Sequence, residues 1–247
     1  MHATRIARRI VLATLAAVVA SAPGPGAWAH SGHPHARSPE PAAVEAPAGR
    51  RAEFDFDAPT PGTYRLPVIK PAPDGAVLDA RGAERRLHQL MAGKVVVLSF
   101  VYTQCSDARG CPLATAVLYR LHQMSASDRA LAEHMKLITL SFDPAHDTPA
   151  VMARYAGPRD SRAARASEWD RLTTASERVL VPILAGYGQT ITRPPANPAG
   201  GLSHRLRVYL IDRQQRIRNI YGLDFLDPRL LIADIRTLLQ EDREVRR

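Results

Sequence analysis

The sequence predicts an α/β sandwich. Three observations carry that expectation: two near-continuous apolar runs of strand length, apolar stripes at helical spacing after each run, and a strand pair before a final helix. KVVVLSFVY (Lys94 to Tyr102) reads as a buried central strand. From Pro112 a helix places Leu113, Val117, Leu121 and Met124 on one face. KLITLSFD (Lys136 to Asp143) reads as a second buried strand. It is followed by Asp147-Thr148-Pro149, a helix start in which Asp147 caps and Pro149 sits near the first helical position. Ser176 to Ala185 reads as a helix ending near Gly186, and HRLRVYLID (His204 to Asp212) and RIRNIYGL (Arg216 to Leu223) as paired strands around a Gln-containing turn. Asp227 or Pro228 opens a last helix through Leu239.

The chain has 247 residues, 45% of them hydrophobic and 23% charged, the balance of a globular protein rather than a disordered or fibrous one. Residues 1–29 read as an export signal. Arg5, Arg8 and Arg9 precede a short apolar stretch from Ile10 to Ala22, and Ala27-Trp28-Ala29 offers small residues to a signal peptidase. The apolar stretch is shorter than the roughly 18 residues that a membrane span needs, so no stable span is expected and an uncleaved membrane anchor is the minority alternative. Loss of the three signal arginines takes the net charge from +9 to +6. Beyond Lys70, Lys94 and Lys136 the positive charge is all arginine, scattered without a patch, which argues against a nucleic-acid partner. Residues 30–62 hold Pro34, Pro39, Pro41, Pro47, Pro59 and Pro61 and few large apolar side chains, the composition of a flexible tail. The folded domain is expected over residues 63–247.

Chemistry gathers where the first strand meets the first helix. The chain has two cysteines, Cys105 and Cys111, both in VYTQCSDARGCPLAT. Cys105 follows the central strand, and open α/β sheets carry function at the carboxyl ends of their strands. Cys111 sits at a helix start, where unsatisfied N–H groups favour thiolate. The five residues between them allow both sulfurs to meet one ion or each other. A structural disulfide is the plainer reading of a lone pair in an exported protein, but so small a loop gains little stability from a bridge. Asp107 reads as a turn former.

FVYTQCSDARGCP, LSFDPAHDTPAVMARYA, SEWDRLTT and LSHRLRVYLID together resemble the Sco/SenC family of copper-handling proteins, over about Phe54 to Leu239. The resemblance implies a thioredoxin-like three-layer sandwich with a central mixed β-sheet. It also implies copper, as Cu(I) or Cu(II), held by Cys105, Cys111 and His204. Two soft thiolates suit Cu(I), an imidazole makes the set competent for Cu(II), and the same donors could hold zinc. The implied function is a periplasmic metallochaperone. Its partner would be the copper-binding subunit of cytochrome c oxidase, whose binuclear copper site the family helps assemble, or another periplasmic copper protein. Such a protein is a carrier more than an enzyme. The alternative is a thiol–disulfide oxidoreductase using Cys105 and Cys111 as its redox pair. Peroxide reduction ranks below both, because the Pro-x-x-x-Thr-x-x-Cys pattern is missing.

This chain departs from the commoner family loop, which has three residues between the cysteines, and matches a longer-loop branch. Ser106 stands where many members have proline. TRPPANPAGGLS before His204 reads as a long loop from which the histidine swings into place when metal or partner binds. Asp143 is a candidate neighbour of the site, and His146 a solvated residue. Signal cleavage after Ala29 would expose His30 as the first residue, where its α-amine and imidazole, with His33 and His35, could chelate Cu(II).

Overall fold

The computed structural model describes residues 57–155, 165–192 and 201–245. The expected signal and cleavage site, most of the expected tail and the His30, His33 and His35 cluster lie outside them.

In chain order the strands are β1 (Lys70–Pro71), β2 (Ala76–Leu78), β3 (Glu84–Arg86), β4 (Val95–Val101), β5 (Met135–Ser141), β6 (Glu168–Leu172), β7 (Ile191–Thr192), β8 (Ser203–His204), β9 (Val208–Ile211) and β10 (Arg216–Tyr221). The helices are α1 (Leu87–Met91), α2 (Cys111–Ser125), α3 (Arg129–His134), α4 (Pro149–Arg154), α5 (Glu177–Tyr187) and α6 (Pro228–Val245).

Six strands form one sheet in the order β1-β10-β9-β4-β5-β6. β4, β5 and β6 run parallel, while β9 and β10 are antiparallel to their neighbours, so the sheet is mixed. Both apolar runs lie at its centre, and every residue of β4 and β5 is buried. The period-2 alternation of a strand sends successive side chains to opposite faces, which explains the unbroken apolar run: both faces are covered. Val95 and Val97 join α2 and α6 on one side, with Leu118, Leu121, Leu231 and Ile235. Val96, Leu98 and Phe100 join α1 and α5 on the other, with Met91, Leu180, Ile183 and Tyr187. The result is the expected three layers.

Several local expectations are corrected. Thr148, not Asp147, caps α4, its side chain accepting the Val151 N–H. α5 passes Gly186 and stops at Gly188, whose φ of 67° is the left-handed conformation a helix ends on most cheaply in glycine. The strand expected over His204 to Asp212 is two. β8 pairs with β7 outside the main sheet, and β9 joins β4 and β10. α6 runs to Val245 rather than Leu239. Past the apolar stripe it is held by ion pairs: Glu241 takes Arg218, and Asp242 takes Arg213.

Candidate metal centre

β4 ends at Val101, and the chain turns at once: the Cys105 N–H donates to the Tyr102 carbonyl at 3.3 Å. Asp107 then builds the loop it was expected to build. Its carboxylate accepts the Arg109 N–H at 2.9 Å and its carbonyl the Gly110 N–H at 2.9 Å. Gly110 fits because it is small; a Cβ there would stand 3.2 Å from the Asp107 carbonyl oxygen and 3.4 Å from Cys105 Sγ. Cys111 is the first residue of α2, with Pro112 beside it.

Asp147 braces the start of this loop from the segment after the adjacent strand β5. It is fully buried, and its carboxylate accepts the Thr103 N–H at 3.0 Å, the Thr103 hydroxyl and the Ser141 hydroxyl. Its role is therefore to tie the β4 loop to the end of β5. Asp143 does not turn toward the cysteines; it pairs with His146 Nδ1 at 2.9 Å.

His204 arrives from the far end of the chain. β8 pairs with β7, Ile191 opposite His204 and Thr192 opposite Ser203. The ring packs on Phe142, centroids 4.6 Å apart, and stands edge-to-face to Tyr102 at 6.4 Å. Its Nε2 lies 3.8 Å from Cys111 Sγ. The histidine is thus already at the cysteine loop rather than waiting in a long loop; residues 193–200 lie outside the described part. Burial lowers the His204 pKa, partly offset by the charge of Asp107, so the ring favours the neutral form that binds metal.

The structure sets Cys111 against His204 and leaves Cys105 on the same loop without a direct contact to the ring. Cys111 is 1% exposed, while Cys105 and His204 are half-buried and line an open pocket of about 700 Å³ with Tyr102, Asp107 and Arg109. Both cysteines are free thiols. Burial pushes the Cys111 thiol up, and the neighbouring Cys105 adds to this, which overturns the expectation of a thiolate favoured by the helix start. A bound cation would act in the opposite direction, stabilising this sulfur as an anion. Tyr102 is likewise pushed up to about 12, by burial first and then by the charges of both cysteines.

Among the described residues no three His, Cys, Asp or Glu side chains stand gathered as a finished metal cage. The arrangement is a contact pair, Cys111 with His204, and a third donor on the same loop. Nitrogen and sulfur ligands about 2.0–2.3 Å from one ion at tetrahedral to trigonal angles stand about 3.5–3.8 Å apart, so the 3.8 Å spacing fits two donors to a shared ion.

The family model SCO1/SenC matches residues 76–240, about two thirds of the chain. The chain belongs to the SCO1/SenC family. No curated protein matches it. Among solved structures, the apo Sco1 protein of Thermus thermophilus is 24% identical, with a TM-score of 0.56 over 73% of this chain and 98% of that one. BsSco, described as a member of the Sco family of cytochrome c oxidase assembly proteins with a disulfide switch, is 18% identical, with a TM-score of 0.55 over 71% and 98%. Bradyrhizobium japonicum ScoI with copper bound is 22% identical, with a TM-score of 0.50 over 68% and 98%. These likenesses establish the thioredoxin-like fold for this SCO1/SenC chain.

Sequence reasoning missed Tyr102, Phe142 and Thr103 as parts of the site. All three lie inside the quoted motifs, and the aromatic residue two places before Gln104 was the available signal for Tyr102.

Proposed function

We propose that this SCO1/SenC protein is a copper metallochaperone that holds the metal through Cys105, Cys111 and His204 and passes it to a partner by ligand exchange. The contact between Cys111 Sγ and His204 Nε2 at 3.8 Å carries this reading. It joins a soft sulfur and a neutral imidazole, the pairing that serves both Cu(I) and Cu(II). Family membership and the copper-bound relative favour copper over zinc as the cargo. Cys105 is the more accessible of the two sulfurs, so it is the one that an incoming ligand of the acceptor would replace first. Export through residues 1–29 would place the protein in the periplasm. The acceptor would be the copper-binding subunit of cytochrome c oxidase, at its binuclear site, or another copper protein there. The description of BsSco supports the oxidase.

A second reading rests on the unequal exposure of the two thiols. The Cys105 thiolate would attack a partner disulfide and release one partner thiolate. Cys111 would then attack the mixed disulfide and release the second, leaving Cys105 and Cys111 bridged. Another thiol must reduce that bridge before a new cycle. Reduced partner cysteines are also what copper loading requires, so the two activities are compatible.

Anaerobic copper titration of the reduced protein, with X-ray absorption to identify ligands, separates the readings. One Cu(I) per chain on two sulfurs, and a nitrogen ligand that disappears in His204→Ala, supports the chaperone. Disulfide reduction without stoichiometric copper binding would leave only the second activity.

A further inference from the structure

We propose that Tyr102 is a positioning residue that latches the histidine-bearing strand over the cysteine loop. The inference rests on the copper reading above, and adds to it the group that sets the distance between sulfur and imidazole. Tyr102 is 5% exposed and ends the central strand region, immediately before the cysteine loop. Its carbonyl accepts the Cys105 N–H, so its main chain shapes the turn that presents that sulfur. Its side chain stands beside both cysteines and also reaches the histidine-bearing segment. The hydroxyl donates to the Leu202 carbonyl at 3.3 Å, two residues before His204. The same ring meets the edge of the His204 imidazole and packs on Phe142 at 5.0 Å.

Gly201 is shaped to this contact. A Cβ at that position would stand 2.5 Å from the Tyr102 hydroxyl oxygen and 3.7 Å from the ring carbon that bears it. The backbone therefore approaches the phenol as closely as it does because no side chain is there. A phenylalanine would fill the same core space and keep the ring contacts. The hydroxyl is what reaches the other loop. Besides Tyr102, the described residues hold His204 through packing on Phe142, the contact with Cys111 Sγ and the two-residue pairing of β8 with β7, a ladder too short to fix the segment by itself.

Tyr102→Phe and Gly201→Ala, alone and combined, test this on the full chain. In copper-free protein, Tyr102→Phe should speed amide exchange from Leu202 to Leu206 by roughly three- to tenfold, the worth of one hydrogen bond, and leave Val208 to Ile211 unchanged. Cu(II) affinity should fall by a similar factor, with a weakened nitrogen signature in electron paramagnetic resonance, while Cu(I) on the two sulfurs stays nearly unaffected. Gly201→Ala should act in the same direction in the wild type. In the Tyr102→Phe background it should cost little, since the ring carbon alone is at ordinary contact distance. Wild-type exchange in Tyr102→Phe, or independent additive effects of the two substitutions, overturns the latch. Faster exchange together with Cu(II) binding indifferent to both Tyr102→Phe and His204→Ala overturns the assignment of His204 as a ligand instead.

Discussion

Cys111 Sγ lies 3.8 Å from His204 Nε2, although 93 positions separate the two residues in the chain. Neither residue could hold that place alone. Cys111 is fixed as the first residue of α2, buried against the sheet, and His204 is carried in on a short strand and wedged between Phe142 and Tyr102. In the copper site proposed above, the buried sulfur would be a fixed inner donor and the half-buried ring and Cys105 exchangeable outer ones.

Removing either sulfur should abolish tight Cu(I) binding. Cys105→Ser and Cys111→Ser are each expected to weaken Cu(I) beyond the roughly 10–100-fold that loss of a merely supporting group costs. His204→Ala should weaken Cu(II) more than Cu(I), and more than disulfide reductase activity. Competition with a chromophoric chelator measures the first two quantities. Equal loss of copper binding and reductase activity in His204→Ala would count against the chaperone as the primary role.

Asp147 should matter for stability and for the site together. Its buried carboxylate is the acceptor for Thr103 N–H, Thr103 hydroxyl and Ser141 hydroxyl. Asp147→Ala leaves the buried Ser141 hydroxyl and two part-buried Thr103 donors unanswered, at about 1–3 kcal/mol for each that water cannot reach. We expect a loss of about 3 kcal/mol or more in urea unfolding, and weaker Cu(I) binding because Thr103 lies two residues before Cys105. A variant with normal copper affinity would show that the brace is structural only.

Stability should fall on mild acidification through His122. The ring is packed against Trp169, with centroids 5.6 Å apart, and its Nδ1 has no partner among the described residues. Burial, and then the charge of Arg171, lower its pKa below the ordinary 6.5. The fold therefore favours the neutral ring, and stability drops as pH falls from about 6.5 toward the lowered folded value. His134 and His204 shift in the same direction and add to the slope. Asp74, Asp79 and Asp128, whose pKa values are lowered, stay ionised in both states through this window and contribute only below about pH 4. Unfolding midpoints at pH 7.5 and 5.5 should differ less in His122→Gln than in the wild type.

Gly188→Ala should cost about 1–2 kcal/mol, because the left-handed backbone at φ 67° is strained for any residue with a Cβ. Calorimetry reads the loss. Copper affinity should not change, since Gly188 touches Arg207 and not the donors.

Much of the frame was legible in the sequence because burial on both faces of a central strand writes itself as an unbroken apolar run. β4 and β5 lie within a residue or two of the runs that announced them, and α2 begins at the Cys111-Pro112 step. The short elements were not legible. β1, β7 and β8 have two residues each, β2 and β3 three, too few for any period to register. α3 has only six residues, its cap Asp128 notwithstanding. Asp147 looked like a cap because its type and place before Thr148-Pro149 suit one, and only the packing showed three donors converging on it.

The sequence by itself determined the α/β layering, the two sulfurs at a strand-to-helix junction, and the family to which the chain belongs. The tertiary structure decided which thiol is buried, that this burial pushes the thiol's pKa up, and that His204 stands against Cys111. The reason is physical. Strand and helix periods are local, set by neighbours within a few residues, whereas desolvation of a sulfur and the approach of a ring across 93 positions depend on what the fold packs around them.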